Sequence, residues 1–347
     1  MTQKSQPIWP LKQQSAPLTQ PASTAGTRDH RLDHARGLAM VLVVLGHALV
    51  GAKSAGGLSQ PWLVLLVVIY STHMALFFLL SGLLAARIQT RRWSDVLRTL
   101  GQRILWPYLL WSFLLLTIHF AMSAHTNVAL AHYNPLSILW KPPSVMWFLY
   151  YLGGAMVLLR LLSPFSNVLI WGLAAILIAA AYAELVPQEL RFVGLFLAAA
   201  RCPVARLEQV LTPGILTLAS LAAGITLLAA IRETGQNFSG YPAFGLPYLP
   251  MLVAGPILIF ALSHLALAKS RADSRINAFI LRIGQQTMPI FVVHILVTAG
   301  TRIVLLKLGV DQWGLIVCAA TLLGVLIPMM AFSIAQRFRL DGVLGWR

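Results

Sequence analysis

The chain has 347 residues, of which 58% are hydrophobic and 10% charged, with a mean hydropathy of +0.76 and a formal net charge of +16. A water-soluble domain carries about 25% charged residues, so the composition excludes an ordinary soluble protein and points to a lipid environment. The positive charge does not indicate nucleic acid, because the basic residues are spread over short segments between apolar runs.

Residues 1–27 are rich in Gln, Ser, Thr, Pro and Ala and have no apolar h-region. They are expected to form a disordered polar tail (about residues 1–30), not a signal peptide. Window hydropathy then predicts ten spans, at about 38–55, 61–86, 104–123, 145–162, 167–185, 190–201, 213–231, 245–268, 286–306 and 313–336. The sixth is short and crosses only if tilted neighbours or a thinned bilayer help. With the N-terminus inside, only Lys53, Lys141, Arg191, Arg232, Arg302 and Lys307 of the 26 basic residues face outside. That bias predicts an all-α polytopic membrane protein, with both termini cytoplasmic and one membrane domain over about 31–340. Cys202 and Cys318 fall in or beside spans and are expected as buried apolar thiols.

Along the first span, Arg36 opens the apolar run and His47 follows eleven residues later. At about 1.5 Å per residue His47 lies roughly 16 Å above Arg36, near the middle of a hydrocarbon core about 30 Å thick. An ionisable group at that depth is a functional-site hypothesis. On the second span His73 lies about 21 Å from Arg87, beside a kink expected at Tyr70-Ser71-Thr72. On the ninth, His294 lies about 18 Å above Arg282. Three histidines on three helices thus fall near one plane, and they are expected to face one another or a water-filled cavity. No acid shares that depth, so no metal is expected.

Between the second and third spans, Arg91, Arg92, Arg98 and Arg103 accompany Trp93, Val96, Leu97, Leu100 and Ile104 at helical spacing. This predicts an interfacial amphipathic helix that contacts anionic lipids or clamps an anionic cytosolic ligand. The outer loops at about 124–144, with His125 and His132, and at about 232–244 are candidates to line an external mouth. A buried neutral imidazole suits acyl transfer, either as a base for an attacking hydroxyl or as an acyl carrier. A transporter or flippase with a histidine proton relay is the alternative the residues leave open.

Five stretches carry a family resemblance. LDHARGLAMVLVVLGHAL holds Arg36 and His47, and HMALFFLLSGLLAAR runs from His73 through Phe77, Phe78, Ser81 and Gly82 to Arg87. RILWPYLLW holds Arg103, Pro107 and Tyr108; MWFLYYL holds Trp147, Phe148 and Leu149; IGQQTMPIFVVHI runs from Gly284 to His294, with Thr287 where serine is common. In this order they resemble acyltransferase family 3, integral membrane O-acyltransferases of bacterial glycans, in the branch of fucose 4-O-acetylases and exopolysaccharide acetylases. The resemblance implies acetyl-CoA as the donor and a glycan or lipid-linked saccharide as the acceptor, in the bacterial inner membrane. It implies His47 as the catalytic residue and Arg36, with Asp33, at the donor. Arg91, Arg92, Arg98 and Arg103 would meet coenzyme A phosphates, and His73, Ser81, Trp147 and His294 would shape the pocket. No nucleic acid partner is expected.

Overall fold

The computed structural model describes residues 29–121, 134–202, 209, 211–235, 245–269 and 274–346. The predicted tail, His125, His132 and most of the 232–244 loop lie outside the described residues. Thirteen α-helices are present among the described residues, and no strand. Among the described residues eight segments are long and apolar enough to cross a membrane, and two of the ten expected spans are shorter helices.

Helix α1 (His30–Ser54) begins well before the hydropathy boundary at residue 38. Asp29 caps it, its carboxylate accepting from the Arg31 amide at 2.9 Å. A polar first turn is invisible to a hydropathy window, whereas the cap supplies one of the partners that the first four amides lack. The expected second span is broken into α2 (Gln60–Tyr70) and α3 (His73–Ala85). At the break, the Ser71 and Thr72 hydroxyls both donate to the Val68 carbonyl, at 2.8 and 3.2 Å. His73 Nδ1 lies 2.6 Å from the Ile69 carbonyl. Side chains therefore take up carbonyls that a broken helix would leave bare, which is the condition for a break inside a bilayer.

The basic segment forms α4 (Trp93–Leu100), with Val96 and Leu100 buried and Arg98 exposed. One π-helical turn at Gly101–Leu105 leads into α5 (Trp106–Ala121). Helices α6 (Trp147–Leu161), α7 (Asn167–Tyr182) and α8 (Leu190–Ala200) follow. Eleven residues make α8 about 16 Å long, half a hydrocarbon core. Nine of them are buried, so α8 is walled by protein and need not match the bilayer. The short sixth apolar run is thus an enclosed half-length helix packed on α3 and α7.

The remainder comprises α9 (Pro213–Thr234), α10 (Met251–Lys269), α11 (Arg275–Gln285), α12 (Thr287–Lys307) and α13 (Trp313–Arg337). Helix α11 lies against the first turns of α1. The backbones of the two helices touch where Gly284 meets the Asp33 carbonyl and Gly37 meets the Ile280 carbonyl, with no room for a Cβ at either glycine. Asn277 ties three helices together, donating to the Ala266 carbonyl at 2.9 Å and facing His34 Nε2 at 3.4 Å. At the same end the C-terminal segment caps α5: Trp106 and Trp111 donate to the Val343 and Leu344 carbonyls, and Trp346 stacks on Trp111 at 5.8 Å. The described ends of the chain therefore share one face of the bundle, the face that carries Arg36, Arg103 and Arg160. Cys202 and Cys318 are exposed and unpaired on the outer surface, not buried as their apolar surroundings in sequence suggested.

The α1–α11 contact gives a direct test. Gly284→Val forces the helices apart and should cost about 1–3 kcal/mol, as overpacking does. It should lower the unfolding midpoint of the detergent-solubilised protein; an unchanged midpoint would contradict the close approach.

Candidate active site

The eleven-residue spacing of Arg36 and His47 is three helical turns within about 20°. Arg36, Met40, Val43, His47 and Val50 therefore form one stripe on α1, and this stripe lines two adjoining cavities. The first, about 380 Å³, lies toward the basic face and is lined by Arg36, Arg103, Ser81, Thr99, Thr287 and apolar side chains. The second, about 590 Å³, lies toward the other face and is lined by His47, His73, Tyr70, Trp147, Ser144, Gln188, Glu189 and Arg191 among others.

His47 is half-buried and opens into the second cavity. Its ring centroid is 5.1 Å from that of His294 and 6.2 Å from that of Tyr70. Tyr70 is in turn 5.0 Å from His73. The rings form a row, with His47 central and His73 one tyrosine away. His73 and His294 are buried, and each holds Nδ1 against the carbonyl four residues earlier: Ile69 at 2.6 Å and Ile290 at 3.0 Å. A carbonyl only accepts, so Nδ1 carries the proton and a neutral ring keeps its lone pair on Nε2. His294 Nε2 is buried with no partner among the described residues. Among these residues no cluster of three His, Cys, Asp or Glu is arranged to hold a metal.

At the basic end Arg36 pairs with Asp33 at 3.5 Å, and the Asp33 side chain is only 3% exposed. Arg103 sits in the π-helical turn and lines the same cavity as Arg36. Such widened turns inside helices are frequent at functional sites. Arg91, Arg92 and Arg98 are exposed on the same face but do not line the cavity. Ser81 belongs to the first cavity, and Trp147 and His294 to the surroundings of the second. Trp147 is fixed by near-parallel stacking on Phe192 at 5.8 Å and Phe78 at 6.3 Å.

The sequence reasoning missed much of the second cavity. Arg191 was expected as an outward basic residue; it is 3% exposed, its guanidinium 4.8 Å from the Phe192 ring and 5.3 Å from that of Tyr182. A single charge at the start of an apolar run was the available signal. Ser144 lines the cavity with φ of 49°, a backbone state that non-glycine residues rarely adopt and that concentrates at functional sites. Glu189 and Gln188 had no sequence signal beyond polarity, and Tyr70 was marked only by the kink expected beside His73.

A bundle of apolar helices long enough to span a membrane, with a basic cavity adjoining a histidine-lined one, defines an integral membrane protein with two internal cavities. A family model described as an acyltransferase domain matches residues 29–332, and the chain belongs to that acyltransferase family. Nodulation protein NolL of Mesorhizobium japonicum is 29% identical over 171 residues, 48% of this chain and 44% of that protein. The match thus spans less than half of that relative. No solved structure matches the chain significantly.

The arrangement predicts unequal histidine reactivity. In the detergent-solubilised protein, diethyl pyrocarbonate should modify His47 before His73 and His294, as read by peptide mass spectrometry. Equal modification of all three would contradict the burial described.

Proposed function

We propose that the protein transfers an acetyl group from cytoplasmic acetyl-CoA to a hydroxyl of a bacterial surface glycan or its lipid-linked precursor, within the inner membrane. The observation that carries this is the single α1 stripe running from an arginine-lined cavity at one face to a histidine-lined cavity at the other. An anionic donor and a neutral polyol acceptor need such unlike surroundings, and the family chemistry needs the two to meet.

Arg36 and Arg103 bind donor phosphates by charge-assisted hydrogen bonds, and the buried Asp33 holds Arg36 in place. The thiol arm follows Met40 and Val43 toward His47. A sugar hydroxyl in the second cavity attacks the thioester carbonyl. The new C–O bond forms, the hydroxyl proton passes to neutral His47, the C–S bond breaks, and the leaving thiolate takes a proton to give free coenzyme A. His294 offers its Nε2 lone pair beside the protonated His47 ring. Trp147, Glu189, Gln188 and Arg191 surround the acceptor with one stacking face and several polar groups. Arg91, Arg92 and Arg98, on the exposed face of α4, meet anionic lipid headgroups.

Two variants separate the roles. His47→Ala should lower acetate incorporation into membrane carbohydrate by about 100- to 10,000-fold, the usual worth of a general base, at unchanged protein level. Undiminished incorporation would exclude His47 as the base. Arg103→Ala should raise KM for acetyl-CoA roughly 10- to 100-fold, as loss of a hydrogen bond between charged groups does. An unchanged KM would remove Arg103 from the donor site.

A further inference from the structure

The three helices that supply the histidines also supply the wall between the cavities. Val43 lies one turn before His47 on α1, Met74 follows His73 on α3, and Phe291 lies one turn before His294 on α12. These three residues line both cavities. They are apolar and only 2%, 6% and 5% exposed. Phe291 is held from below by Phe148 at 5.3 Å and from above by His294 at 6.2 Å between ring centroids.

We propose that Val43, Met74 and Phe291 form a collar that selects the acyl group by size, admitting a short acyl chain and rejecting longer ones. This inference rests on the acyl transfer proposed above. A thioester carbonyl carbon is trigonal: its sulfur, oxygen and acyl substituent share a plane, and a nucleophile approaches from outside that plane. The sulfur arrives from the arginine-lined cavity and the hydroxyl from the histidine-lined one. The acyl substituent is thereby turned sideways, into the collar. The three collar side chains are buried, and packed interiors respond to a change of even one methylene. A methyl group fits against Val43, Met74 and Phe291, whereas each added methylene crowds these three side chains. One methylene in an apolar pocket changes selectivity about 10- to 200-fold.

The test uses membrane vesicles carrying the full chain, supplied with radiolabelled acetyl-CoA or butyryl-CoA. Label in the carbohydrate fraction is counted, and His47→Ala vesicles give the blank. The wild type should favour acetyl, and Phe291→Ala and Met74→Ala should each raise the butyryl-to-acetyl ratio about tenfold or more. Val43→Ala, a smaller cut, gives the same comparison where a larger one prevents accumulation of the protein. A wild type that transfers both groups equally would overturn the collar, as would variants that keep the wild-type ratio. So would loss of all transfer in three variants that accumulate normally, because the residues would then be required for chemistry and not for choice. Absence of His47-dependent label from either donor in the wild type is a different result, and it would count against the proposed acyl transfer itself.

Discussion

A polar ring inside a lipid-embedded bundle needs a partner or a cavity, because an unsatisfied polar group there costs several kcal/mol. The structure meets that demand in part through local bonds, leaving the buried His294 Nε2 without a partner among the described residues. His73 and His294 each turn one nitrogen back to a carbonyl of their own helix or of the broken turn before it. His47 opens to a cavity and has His294 and Tyr70 as ring neighbours. The break between α2 and α3 belongs to the same economy: the Ser71 and Thr72 hydroxyls take the Val68 carbonyl, and His73 shares the Ile69 carbonyl with the Thr72 amide.

The stripe on α1 gives this local solution a direction. Three turns of helix separate Arg36 from His47 on one face, so a single element touches both cavities. Helix α11 presses on the first turns of α1 through Gly284 and Gly37, and this contact steadies the Asp33–Arg36 pair. The π-helical turn before α5 brings Arg103 to the same cavity from another direction. Along the stripe, the apolar side chains of Met40 and Val43 stand between the two ends. In the acyl transfer proposed above, that arrangement would keep a charged donor and a hydroxylic acceptor apart until a small group crosses between them.

Much of this was legible in the sequence. Periodicity, hydropathy and helical rise were enough to predict the apolar segments, the amphipathic α4 and the shared depth of His47, His73 and His294, because each is a local property of one helix. The beginning of α1 was misplaced because a capped polar turn has low hydropathy. The second cavity was largely invisible: whether Arg191 faces solvent or a buried aromatic pair depends on α7 and α8 folding back on α3. The α1–α11 contact joins residues some 243 positions apart, as His34 and Asn277 illustrate. No single-segment pattern encodes such pairing, although the glycine at 284 marked the place where two backbones meet. The arginines divided for a similar reason. Four shared one basic segment, and only the turn geometry determined that Arg103 lines the cavity while Arg91, Arg92 and Arg98 lie outside its lining.

In the acyl transfer proposed above, a donor at the arginine face serves an acceptor at the other. Sealed membrane vesicles of both orientations, each given radiolabelled acetyl-CoA outside, test it directly. Label should enter carbohydrate only in vesicles that expose the face carrying Arg36 and Arg103, and it should depend on His47. Equal labelling in both orientations, or labelling only from the opposite face, would contradict a one-way path through the collar.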